Sequence, residues 1–154
     1  MALQRQNAPT ALILTRQKLP LLPPEKTNGA ANGAYILIDV PNPQVILMSS
    51  GSEVQIAQAA QKQLAKQGIA ARGVSMPSWE LFEAMPQSYK DEVLPPQITA
   101  RVAVEAASPF GWGRYVGLEG KIIGLNCFGA SAPYKVIYEK LGITAEAVVL
   151  AVKG

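Results

Sequence analysis

The sequence predicts an α/β fold: a three-layer α/β/α sandwich on a five-stranded, mostly parallel sheet with one antiparallel edge strand. Three observations carry this expectation. From residue 34 onward, short apolar runs alternate with stretches of helical periodicity. Two consecutive runs, 34–40 and 44–49, are joined only by Pro41-Asn42-Pro43. That joint is too short for a crossover, so the two strands are antiparallel neighbours or lie out of sequential order. Finally, 154 residues that are 49% hydrophobic and 16% charged can bury one core without disulfide or metal staples.

Taken in order, residues 1–6 read as the end of a helix, broken by Asn7-Ala8-Pro9. Thr10-Ala11-Leu12-Ile13-Leu14-Thr15 is a continuous apolar run of the buried-strand kind, finished by Arg16-Gln17. Residues 18–33 contain Pro20, Pro23, Pro24, Gly29 and Gly33, with too little apolar periodicity for an element. They read as a linker, and a domain boundary falls there. Strands are predicted at 34–40, 44–49, 69–76, 101–105 and 121–125. A helix is predicted over 53–67, with apolar positions Val54, Ala57, Ala60 and Leu64 on one face, Ser52-Glu53-Val54-Gln55 as a capping box and Gly68 as its stop. Ser78 caps a short helix over 79–85, a second runs to Leu94 before Pro95-Pro96, and 111–117 is a turn or short helix. Pro133 opens a helix that Gly142 ends, and Thr144 opens the last one.

The chain has no histidine and one cysteine. No Ser-His-Asp triad, Cys-His pair, HExxH zinc site or histidine base can be built from it, nor an internal disulfide. There is no GxSxG elbow and no SxxK motif, which disfavours a hydrolase. Net charge is +3, but the 14 basic residues are scattered, so no nucleic-acid stripe forms. No stretch approaches the ~20 apolar residues of a membrane span. The start lacks the apolar core of a signal peptide, and a cytoplasmic, reduced setting is expected.

Few residues suggest chemistry. Ser52 and Glu53 sit at a strand-to-helix turn, where free N–H groups can seat an anion or simply cap. Glu53 reads first as a partner of the helix dipole. Glu105 ends an apolar strand, where a carboxylate needs a partner. Cys127, with nothing to activate it, reads as a small buried residue. Trp79, Trp112, Phe82, Phe110 and Tyr115 read as packing, with Phe110-Gly111-Trp112-Gly113 suited to a subunit contact. Arg16 terminates a strand before the linker. A guanidinium there suits a phosphate, although a surface arginine is the default reading.

The segment Thr10-Ala11-Leu12-Ile13-Leu14-Thr15-Arg16-Gln17-Lys18-Leu19-Pro20 resembles the end of the pyrimidine-binding domain of transketolases. Gly33-Ala34-Tyr35-Ile36-Leu37, Ser50-Gly51-Ser52-Glu53-Val54, Val74-Ser75-Met76-Pro77-Ser78, Val102-Ala103-Val104-Glu105 and Phe128-Gly129-Ala130-Ser131-Ala132-Pro133 resemble successive landmarks of their C-terminal domain. Residues 120–127 depart from the family pattern.

The resemblance implies residues 1–17 as the tail of a pyrimidine-binding domain, 18–33 as linker and 34–154 as a transketolase C-terminal domain. Transketolases are homodimers that move a two-carbon ketol unit from a ketose phosphate to an aldose phosphate, using thiamine diphosphate and Mg or Ca. The resemblance places those cofactors and all catalytic residues upstream. It leaves this piece structural, dimer-supporting and inactive alone, with the remainder of the chain as its partner. It also assigns Arg16 to the substrate phosphate. The alternative is a stand-alone small-anion-binding module using Ser52 and Glu53.

Overall fold

The structure is a computed structural model, described for residues 5–154. Five strands form one sheet: β1 (Tyr35–Ile38), β2 (Val45–Ser49), β3 (Ala71–Ser75), β4 (Arg101–Val104) and β5 (Lys121–Ile123). Their order is β1-β3-β2-β4-β5, with β1 antiparallel to β3 and every other pairing parallel. The short Pro41-Asn42-Pro43 joint therefore resolves as strands out of sequential order. Two neighbours, β3 and β4, already flank β2, and β1 takes the outer edge of β3. As a central strand β2 is buried along its whole length, which is why it reads as an unbroken apolar run.

Alternate residues of the central strands feed two cores, and Tyr35 and Leu37 of β1 pack with Val54 in a smaller third cluster. Ile46, Met48, Val74 and Ala103 pack with Phe82, Trp112 and Tyr115 on one face. That face is covered by α2 (Trp79–Glu83), α3 (Gln87–Val93) and α4 (Gly113–Val116). Val45, Leu47, Val102 and Val104 pack with Ile56, Ala60, Leu64 and Val148 on the other. There the cover is α1 (Val54–Ala65), α5 (Tyr134–Leu141) and α6 (Ala145–Lys153). The sandwich thus follows from period-2 alternation in β2 and β4.

Several ends form as expected. The Ser78 hydroxyl accepts from the Leu81 amide, Thr144 from the Ala147 amide, and Gly142 closes α5 in the left-handed region at φ 72°. The capping box at α1 does not form. Residues Gly51–Glu53 make a 3-10 turn instead, and the Ser52 hydroxyl turns to the Glu53 carboxylate. The linker folds into two 3-10 turns, Pro24–Lys26 and Asn28–Asn32, and ends at Gly33 with φ 82°. A Cβ at Gly33 would run into the Ser78 carbonyl oxygen and the Phe82 amide, so this glycine locks the linker against the start of α2.

The strand expected over 10–15 is absent, and Leu12, Ile13 and Leu14 are 72%, 96% and 80% exposed. A buried-type strand needs a ladder partner on each side, and nothing in this sheet offers one. The helix end expected over 1–6 falls mainly outside the described residues; Arg5 and Gln6 are irregular. Cys127 is exposed rather than buried, because it lies in an irregular loop after β5. Trp112, Phe82 and Tyr115 are core, whereas Phe110 points to solvent.

Candidate functional site

The chain leaves β2 for β3 on one side and returns to β4 on the other. The sheet's crevice therefore opens between the carboxyl ends of β2 and β4, the place where open α/β sheets gather functional groups. Ser50 and Glu105 each stand one residue past those strands. The Ser50 hydroxyl donates to Glu105 Oε2 at 2.6 Å and joins the two strand ends.

Glu53 comes from the 3-10 turn and is only 3% exposed. Its Oε1 accepts from the Ser52 hydroxyl at 2.6 Å and from the Tyr138 hydroxyl at 2.5 Å. Tyr138 reaches across from α5 and stacks edge-on with Tyr134, ring centres 5.6 Å apart. Gln17 completes the cluster, its Nε2 donating to the Tyr138 hydroxyl at 2.9 Å. Four segments far apart in sequence thus meet in one hydrogen-bonded set.

Electrostatics follow from that burial. The Glu105 carboxyl is pushed up to about 7, first by desolvation and further by the Glu53 charge, while the bond from Ser50 opposes the rise. Burial, then the bond to Glu53, also raises the Tyr138 phenol. The cluster can hold a proton near neutrality. Its two carboxylates make this end of α1 a poor seat for an anion. Among the described residues no group of three metal-ligating side chains converges.

The sequence-predicted residues distribute as follows. Glu53 and Glu105 come together. Ser52 is engaged by Glu53. Arg16 is exposed, one residue before Gln17. Glu53 stands at the start of α1, as expected, and its carboxylate is also buried and bonded to two hydroxyls. Sequence reasoning missed Tyr138 and Gln17. A polar-tipped aromatic among the apolar positions of α5 is a signal of sorts for the first; the second carries none. Beside the cluster, a cleft of about 340 Å³ runs between linker and α1, lined by Leu19, Pro20, Leu22, Ser52, Gln55 and Pro77 among others.

Comparison with known proteins identifies the architecture. Residues 33–144 match the family model described as the transketolase-like TK C-terminal domain. The chain belongs to the transketolase C-terminal domain family. A transketolase from Staphylococcus epidermidis is 46% identical over 99% of this chain, and a chloroplastic transketolase from Craterostigma plantagineum is 49% identical over 99%. The chain spans only 24% and 30% of those relatives' lengths. Among solved structures, a Pichia stipitis transketolase in complex with sedoheptulose 7-phosphate superposes at a TM-score of 0.79, with 37% identity, over 90% of this chain and 20% of that one. In this transketolase C-terminal domain, the carboxylate cluster lies at the crevice of the sheet.

Proposed function

We propose that this chain is the C-terminal part of a homodimeric transketolase that transfers a two-carbon ketol unit between sugar phosphates. Residues 1–17 are the tail of the pyrimidine-binding domain, 18–33 the linker and 34–154 the C-terminal domain. The observation that carries this is the match of transketolases across 99% of the chain, stub included, and not only across the sandwich. A cytoplasmic setting fits the bacterial relative, whereas the plant one is chloroplastic by name.

The described residues do not fit thiamine diphosphate. The buried polar cluster is acidic and offers no cation to a diphosphate, and no metal-ligating set converges. The reading therefore leaves the cofactor and its Mg or Ca to the upstream domains. It also leaves the 154-residue chain alone without ketol transfer. Turnover by that pure chain with thiamine diphosphate and magnesium would overturn this part.

Arg16 is the residue of this chain that meets substrate, clamping the sugar's phosphate. Its exposed position on a stub suits a group that completes a site elsewhere. In the full-length enzyme, Arg16→Ala is expected to raise KM for phosphorylated donors, a loss of about 1.5–3 kcal/mol for a charge-assisted contact. Unphosphorylated donors are affected much less. Equal losses for both donor types would remove Arg16 from the phosphate site.

A further inference from the structure

We propose that Gln17, Tyr138 and Glu53 form a tether through which the C-terminal domain sets the position of Arg16. Tyr138 and Gln17 are thus positioning residues for the substrate phosphate. The inference rests on the reading of Arg16 given above.

The stub makes little contact with the sandwich. Among its described residues Thr10, Ala11, Leu12, Ile13, Leu14, Thr15 and Arg16 are all exposed. Gln17, half-buried, is the first residue after this exposed run whose side chain bonds to the sandwich. The amide donates 2.9 Å to the Tyr138 hydroxyl, which donates in turn to the buried Glu53 carboxylate. Glu53 is itself fixed by the Ser52 hydroxyl and by the turn that opens α1. Behind it lies the sheet crevice, closed by Ser50 and Glu105. The tether therefore runs from the rigid centre of the sandwich to the residue next to Arg16. A backbone bond adds local order: the Gln17 amide donates to Thr15 Oγ1 at 3.1 Å, turning the chain around Arg16.

The tether is a poor device for stability alone. Gln17 Oε1 is buried and finds no donor among the described residues. A leucine at that position would bury as much without an orphaned acceptor. What the glutamine adds is direction. Its planar amide, pinned at one end, fixes the path of the backbone one residue downstream of the guanidinium, and a clamp of this kind tolerates little displacement.

The test uses the full-length holoenzyme. Tyr138→Phe removes one hydroxyl and keeps the ring against Tyr134. It is expected to raise KM for a phosphorylated ketose about five-fold, as loss of one positioning bond would, with kcat little changed. KM for an unphosphorylated ketose should move less than about two-fold. Gln17→Leu, which keeps the side-chain bulk, should do the same. In an Arg16→Ala background Tyr138→Phe should add nothing further for the phosphorylated donor, because both act through one contact. Additive effects, or equal losses for both donor types, would overturn the tether. If Arg16→Ala discriminates between donors and Tyr138→Phe does not, the tether fails while the Arg16 reading stands. If Arg16→Ala does not discriminate, both fall.

Discussion

Glu105 faces Glu53, the Ser50 hydroxyl and, through Glu53, the phenol of Tyr138. Its carboxyl is held at about 7 against an ordinary 4.5. A carboxyl whose pKa is higher folded than unfolded binds more protons in the native state between those values. Its contribution is complete below about 4.5 and is lost as pH rises through about 7. Solvent reaches part of this group, so the effect is on the order of 1–2 kcal/mol rather than the full linkage value. Glu105→Gln should flatten the dependence of Tm on pH between 5 and 7.5 and stabilise the chain at the upper end. An unchanged slope in thermal melts would show that Glu105 titrates normally. The cluster was half legible in the sequence. A carboxylate after an apolar strand announces that it needs a partner, as Glu105 does. Nothing in the order of residues announces that Tyr138, 85 positions from Glu53, supplies a bond to that neighbour. Cys127 shows the opposite case: a small apolar side chain suggests burial, and its loop faces solvent.

Elements were legible where local chemistry decides them. Ser78, Thr144 and Gly142 mark helix ends because capping and left-handed closure involve only adjacent residues. The capping box at Ser52 failed because a buried Glu53 competes for the same hydroxyl. The strand over 10–15 failed because a strand is half an interaction. Two features of element ends carry predictions. Arg101, which reads in sequence as one scattered cation, donates to the carbonyls of Ile98, Tyr115, Leu94 and Pro95 at 2.8–3.1 Å. It binds the start of β4 to the end of α3 and to α4. Lysine cannot reproduce that planar fork, so Arg101→Lys should cost about 2–3 kcal/mol in urea unfolding. A shift in midpoint worth less than about 0.5 kcal/mol would show the fork to be dispensable. Gly33→Ala should cost more than about 2 kcal/mol, since it combines a positive φ with a backbone collision. A normal melt for that variant would contradict the close approach to Ser78 and Phe82.

At the scale of the whole molecule, the layers could be read from alternation, and the topology only down to a choice. The Pro41-Asn42-Pro43 joint left β1 and β2 either paired or out of order, and long-range packing around β2 decided it. The sandwich and its stub also differ in kind. Protease should cut within residues 9–16, where the backbone is irregular and the side chains exposed, and should spare the body from β1 onward. First cleavage inside the sandwich, read by mass spectrometry, would contradict that division. Leu12, Ile13 and Leu14 on the stub, with Phe110, Leu118 and Phe128 on the loops, leave much apolar surface to solvent. The proposed full-length enzyme has domains to cover it.

The chain's one thiol has a practical corollary. Cys127 is exposed and sits beside the exposed Phe128. A maleimide reagent should therefore attach at one position per chain and give a homogeneous conjugate without mutagenesis. Under oxidising conditions copies of this chain can couple in pairs through that sulfur and no further, since a second disulfide has no cysteine from which to form.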